Sequence, residues 1–371
     1  MRLAVVLGKL SAAAHGVFDI DTLYEQGMLT GTGSGFFDIV WGLAERGNVI
    51  DAFCDARRRV ISCEKLGGAN IYPSDEVSIG DDYDAYISVN EPDPLRSVPA
   101  NRLRVCAMWL NDFTFAAPGF DEAVDIYVCP SDTLARRLVS VSNISPEKIV
   151  VIPLSVSFEH FDDVLTRRPY SIVYTSSPDR GLHHLLDIFP RIRDAVPEAT
   201  LRIYYHFQPW YESTIRSIAM YATSVRWRAE AINLSFERLG RDGENGVFLV
   251  GPVPKKTMAR ELLSSTVLAY PCDPVAFTEG FSVSILDACA AGCIPIITDI
   301  DALPEIYRGA VHFVSGPPLD NKDKWVDAIV GALINKDFAD GVRFTAKAFA
   351  SGFSRQKIAL RWEKLLQRCK K

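Results

Sequence analysis

Two carboxylates carry the chemistry most readily read from this sequence. Glu279 stands at a glycine turn in TEGFSVSILDACAAGCIPIITD, residues 278–299, and Asp287 follows eight positions later among valine, leucine, alanine and cysteine. Aspartate suits a helix interior poorly, because its short carboxylate competes for backbone donors, and a buried unpaired charge is expensive. Asp287 therefore needs a partner. The backbone of Gly280, Phe281 and Ser282 opens a helix expected to run to about Ala291, where free N–H groups cradle a phosphate or a sugar hydroxyl. At about 1.5 Å per residue the helix sets the second carboxylate about 12 Å beyond the first, a spacing suited to the two ends of one elongated ligand.

The rest of the chain has to position those groups. Its 371 residues suggest two domains, each large enough for its own core. Hydrophobic residues make up 48% and charged residues 23%, so an ordered globular protein is expected. The formal net charge of −6 argues against a nucleic-acid partner while leaving room for a local basic pocket that takes phosphates. Eight cysteines are scattered without CxxC pairs, which fits reduced thiols in the cytoplasm, and Cys289 and Cys293 read as small core residues. The start, MRLAVVLGK, reads as a first buried strand rather than a signal peptide. No apolar run approaches the roughly 18 residues that span a bilayer, so a soluble or peripheral protein is expected.

Strand and helix patterns alternate through the first half. LAVVLG, NVIDAFC, DAYISV, RVCAMWL, DIYVCP and KIVVIP read as strands, and GFFDIVWGLAERG as a helix with Phe36, Ile39, Val40 and Leu43 on one face. The pattern restarts after residues 155–170 with strand YSIVYTS, helix GLHHLLDIFPRIRDAV and strands ATLRIYY, GVFLVG, TVLAYPC, CIPIIT and AVHFV. The expectation is an α/β chain of two Rossmann-like β/α/β domains facing across a cleft, with ligands beyond the carboxyl ends of the strands. The domains are placed at 1–165 and 166–350, followed by a C-terminal helix at 351–371.

Other features weigh less. The stretch from Trp210 to Arg241 reads as an inserted helix packing its aromatics on the domain, with an acceptor-binding or membrane-surface role as the alternative. GTGSG does not directly follow the first strand, so it is a poor dinucleotide fingerprint. DDYD at 81–84 reads as a solvated turn. His183 and His184 are adjacent on one helix and are expected to point apart, which speaks against a metal pair.

Glu279, Gly280, Phe281, the acid at 287 and ACAAGCIPIITD resemble the donor-site signature of retaining GT-B glycosyltransferases, the glycogen- and sucrose-synthase-like family (family 4-like), whose usual form is Glu, seven residues, Glu. YTSSPDRGLHHLLDIFPRIRDAVPEATLRIYY, GVFLVGPVP, LLSSTVLAYPC and the final helix with Trp362 resemble that family too, over most of the chain. The resemblance implies that Glu279 binds hydroxyls of the donor sugar, and that Gly280, Phe281 and Ser282 face the sugar and the diphosphate. By the same resemblance Asp287 accepts the ribose hydroxyls and Arg180 neutralises the departing diphosphate. Gly33, Ser34 and Gly35 approach the donor phosphates or the acceptor, and residues 351–371 cross back onto the N-terminal domain. The chain departs from the pattern in three places: Asp287 replaces Glu, Ser176 and Ser177 stand where a second basic residue is usual, and Asn111 precedes Asp112 where His is usual. Asn111 can position a substrate but cannot act as a base.

The implied function is transfer of a sugar from a nucleotide-diphosphate sugar to an acceptor hydroxyl, with retention at the anomeric carbon. The acceptor is a glycan, a lipid-linked sugar or a small molecule. No cofactor and no essential metal are expected. The partners are a nucleotide sugar and a carbohydrate or glycolipid acceptor, in a cytoplasmic protein with a peripheral membrane contact as a further expectation. A GT-B-fold sugar-nucleotide epimerase, a phosphorylase and a non-catalytic nucleotide-sugar-binding subunit are the alternatives; nothing in the sequence marks the pyridoxal phosphate lysine of a phosphorylase.

Overall fold

The computed structural model describes residues 1–8, 18–25, 29–76, 82–109 and 119–369. It divides into two compact units, Met1–Ser157 with Glu279–Val283 and Gly352–Lys371, and Phe158–Thr278 with Ser284–Ser351.

The first unit is built on strands β1 (Arg2–Leu7), β2 (Val49–Cys54), β3 (Val60–Cys63), β4 (Ala69–Pro73), β5 (Ala85–Val89), β6 (Leu103–Ala107), β7 (Ile126–Cys129) and β8 (Ile149–Val151). They form one sheet in the order β3-β4-β2-β1-β5-β6-β7-β8, with β3 antiparallel to β4 and the other pairings parallel. From Leu3 to Leu7 every β1 residue is buried, as both faces of a covered parallel sheet require. Helix α1 (Gly31–Glu45) starts four residues before the expected Gly35, because Thr30 caps it, its hydroxyl accepting from Gly33 N at 3.4 Å. Helix α2 (Asp132–Ser142) is capped in the same way by Ser131.

The C-terminal helix Arg355–Arg368 belongs to this unit and buries Ile358, Trp362, Leu365 and Leu366 in its core. Gly42 on α1 permits the approach: a Cβ there would lie 2.8 Å from Ala359 Cβ and 3.1 Å from Arg355 Cγ. Arg355 is 1% exposed; it forks onto Glu45, donates to Ser157 Oγ at 2.9 Å and lies 3.4 Å over the Trp41 ring. Ser157 in turn donates to Asp38 at 2.6 Å, so each charge in this packed region has a partner.

The second unit contains β9 (Ser171–Tyr174), β10 (Thr200–Ile203), β11 (Val247–Leu249), β12 (Val267–Tyr270), β13 (Ile294–Thr298) and β14 (His312–Val314), all paired in parallel in the order β11-β10-β9-β12-β13-β14. In sequence rank this is 3-2-1-4-5-6, the doubly wound order, whose switch point lies between β9 and β12. Its helices include α3 (Leu182–Ala195), α4 (Phe207–Arg216), α5 (Met220–Leu239), α6 (Lys255–Ser264) and α7 (Val283–Ala291). The expected single inserted helix is thus two, parted at Ser217, whose backbone is extended. α5 packs Val225, Arg228, Ala229, Ile232 and Phe236 inward, but Trp227 is 53% exposed, so its aromatics do not all face the domain. Cys289 and Cys293 are buried free thiols in the core. Among the described residues no helix is long and apolar enough to cross a membrane.

Trp362 is 1% exposed, so Trp362→Ala is expected to cost about 3–5 kcal/mol of the first unit's stability. Trp227→Ala should cost less, about 1–2 kcal/mol, since the half-exposed ring keeps contacts with His183 and Arg228. Urea denaturation of both variants measures the contrast.

Candidate functional site

The switch point of the second unit is assembled from two connections. The turn after β9 runs through Thr175–Gly181 into α3, and the loop after β12 leaves from Pro271. They touch at Gly181, which has φ +98°, and where an added Cβ would fall 1.8 Å from the carbonyl oxygen of Pro271. Both the left-handed backbone and the close approach require glycine. Tyr174 Oη donates to Ser177 O at 2.7 Å, and Ser284, near the start of α7, donates to Thr175 O at 3.2 Å. Arg180 leaves this turn immediately before Gly181, with Nε 3.4 Å from Asp179 Oδ2. Asp179 is 4% exposed and also accepts from Ser177 Oγ and Tyr221 Oη. Arg228 donates to the backbone oxygens of Asp179, at 2.9 Å, and of Asp273.

α7 begins at Val283, so Glu279–Ser282 form the approach to the helix, and the step from Glu279 to Asp287 is only partly helical rise. Asp287 is 6% exposed, and its partner within the chain is Lys255, whose Nζ lies 2.5 Å from Oδ2. The other oxygen, Oδ1, is buried with no hydrogen-bond partner among the described residues. Burial pushes the Asp287 carboxyl above the usual carboxylate range, while the charge and hydrogen bond of Lys255 pull it back. The sequence reading missed Lys255. Its signal was a lysine at the first position of α6, where the helix dipole disfavours a cation unless an acid faces it.

His183 and His184 do not point apart. In the first turn of α3 their rings lie 3.9 Å between centroids, and His184 Nε2 is 3.0 Å from Asp273 Oδ2. Ligand atoms of His183, His184 and Asp273 fall within 4.8 Å of one another, a spacing within reach of a metal ion. The local field opposes one: Arg228 Nη2 is 3.5 Å from the same Asp273 oxygen, and the N-terminus of α3 adds partial positive charge. Burial, then the neighbouring His184 and Arg228, push His183 down to about 3, so it is neutral; both its ring nitrogens are buried without a partner among the described residues. A hydrogen bond from His184 and the Arg228 charge hold Asp273 below its ordinary value.

In the first unit, Glu279 and Ser282 are buried and Phe281 partly so. Ser131 Oγ donates to Gly280 O at 2.8 Å, and a Cβ on Gly280 would lie 3.1 Å from Leu134. Gly33 and Ser34 spend their amides on the cap of α1, on Thr30 Oγ1 and Thr30 O. Gly35 is a packing glycine, its added Cβ 3.1 Å from Trp109 and 3.3 Å from Leu154. Asn111 and Asp112 lie outside the described residues.

Three outcomes follow from this geometry. Gly181→Ala should lose more than about 1 kcal/mol, since neither its φ nor the Pro271 carbonyl accommodates a side chain. Lys255→Met leaves Asp287 buried and unpaired, at about 3–5 kcal/mol near neutral pH. A raised folded pKa means stability is intact at low pH and lost as pH rises through it. The Lys255→Met deficit should therefore shrink towards about pH 4, near the unfolded aspartate value. His183 has the opposite sign: unfolded near 6.5 and folded at about 3, it contributes stability above about pH 6.5 that is lost as pH falls, by up to about 1.4 kcal/mol per pH unit. His183→Gln should flatten the acid limb of the urea-derived stability profile.

The model of the family described as Glycosyl transferases group 1 matches residues 170–335, which span the strands and turns of the second unit. Among solved structures, sucrose-phosphate synthase (tll1590) from Thermosynechococcus elongatus is similar over 99% of both chains, at 14% identity and a TM-score of 0.70. AviGT4, a glycosyltransferase involved in avilamycin A biosynthesis, is similar over 99% of this chain and 97% of its own, at 14% identity and 0.68. HepE (Alr3699) of Anabaena, in complex with UDP and glucose, is similar over 99% of both chains, at 13% identity and 0.66. At such identities these likenesses establish the fold. No curated protein matches the sequence. The chain thus has the GT-B fold over its full length and carries, at residues 170–335 on a doubly wound sheet, a glycosyl transferases group 1 domain.

Proposed function

We propose that the protein transfers a sugar from a nucleoside-diphosphate sugar to an acceptor hydroxyl with retention at the anomeric carbon. The observation that carries the reading is the presence, in one unit, of Arg180 at the switch point and of a buried acid, Asp287, whose Oδ1 has no hydrogen-bond partner among the described residues. An arginine there suits a diphosphate, and an orphaned carboxylate oxygen suits a sugar hydroxyl. HepE is described with UDP, with UDP and glucose, and with UDP-glucose, which favours a donor of that class.

In this reading Asp287 Oδ1 takes a ribose hydroxyl while Lys255 keeps Oδ2. Glu279 takes hydroxyls of the donor sugar, and Gly280, Phe281 and Ser282 line the sugar and the diphosphate. Arg180 offsets the charge that grows on the leaving diphosphate as the bond from C1 to the phosphate oxygen breaks. The acceptor oxygen bonds to C1 on the same face, and its proton passes to the leaving phosphate oxygen. No step calls for an essential metal or another cofactor. The acceptor is a carbohydrate or glycolipid hydroxyl, and the working compartment is the cytoplasm, with the protein at most peripheral to a membrane.

A thermal-shift screen against UDP, GDP, ADP, CDP and their sugar conjugates tests this. One nucleotide, at about 100 times its dissociation constant, should add about 2.7 kcal/mol of stability. EDTA should leave the shift unchanged, and both Arg180→Ala and Asp287→Asn should reduce it. No shift from any nucleotide would sink the proposal.

A further inference from the structure

The geometry points to Tyr221, on α5, as a positioning residue for Arg180, acting through the carboxylate of Asp179; the inference rests on the reading of Arg180 as the diphosphate-binding group. Arg180 meets Asp179 Oδ2 through Nε at 3.4 Å, and that same oxygen accepts from Tyr221 Oη. The contact at Nε fixes the plane of the guanidinium fork, on which bidentate recognition of a phosphate depends. Asp179 itself is oriented by two hydroxyls, one local from Ser177 and one distant from Tyr221.

α5 is anchored independently. Arg228, two turns further along and 4% exposed, holds the backbone oxygens of Asp179 and Asp273, and its guanidinium lies 5.3 Å from the Trp227 ring centroid. One helix inserted between β10 and β11 thus grips the connections after β9 and after β12. Tyr221 is the member of this grip that touches the Asp179 carboxylate. Burial, then the Asp179 charge, push its phenol above the ordinary tyrosine value, so it remains a donor. Phenylalanine would keep the ring and delete only that donor.

The test is calorimetric titration of wild type, Tyr221→Phe, Arg180→Ala and the double variant. The ligands are UDP, GDP, ADP and CDP, each beside its nucleoside. Tyr221→Phe should weaken the diphosphate that binds on the order of tenfold and leave its nucleoside within about twofold, as expected for losing one charge-assisted hydrogen bond. In the Arg180→Ala background the same change should cost nothing further. Equal weakening of diphosphate and nucleoside, full additivity with Arg180→Ala, or no change in diphosphate affinity overturns the positioning role alone. Failure of wild type to bind any diphosphate overturns the functional reading and this inference with it.

Discussion

The contact between Gly181 and the carbonyl of Pro271 is the constraint on which the second unit's chemistry depends. β9 and β12 are neighbours whose following connections diverge to opposite sides of the sheet, and that divergence opens the crevice of a doubly wound fold. A crevice holds a small anion only if its two walls are fixed against each other. Here the fixing is done by a backbone approach too close for any Cβ, reinforced by the hydroxyl of Ser284 on the Thr175 carbonyl. Arg180 sits one residue before that contact, so the position of its Cα follows from packing, while its guanidinium is steered by Asp179.

Buried charges in both units are paired within the chain. In the first, Arg355 is packed between α1 and the C-terminal helix with Glu45, Ser157 and the Trp41 face around it, and the network joins the end of the chain to the first helix. Its polar groups point at one another, as a buried charge requires for stability. In the second unit Asp287 Oδ1, both nitrogens of His183 and the hydroxyl of Thr175 are buried without partners among the described residues, as Thr22 Oγ1 and Asp121 Oδ1 are in the first. Buried polar atoms left unsatisfied cost stability.

The neighbouring histidines show how a geometric match and an electrostatic one diverge. His183, His184 and Asp273 have the spacing to share a cation, yet Arg228 and the N-terminus of α3 already supply positive charge to the same carboxylate. The field of this region favours an anion, in keeping with the phosphate chemistry of the proposed donor.

What the sequence determined by itself is the local pattern. Apolar runs of strand length alternating with amphipathic helices, and the restart near residue 170, prescribe an α/β chain of two domains built on covered parallel sheets, because strand burial and helix faces are written in nearest neighbours. The glycine turn with its acid pair is local in the same sense, and it offered a place to look for a donor. Local pattern erred where side chains choose partners in space. It set His183 and His184 apart, read Trp210–Arg241 as one helix, and offered Asp287 a ligand while overlooking Lys255. Only the tertiary structure decided those pairings: Lys255 lies 32 residues from Asp287, and Tyr221 lies 42 from Asp179. A buried charge takes whichever opposite group the fold delivers within a few ångströms, and that delivery depends on strand order, which no single stretch of sequence contains.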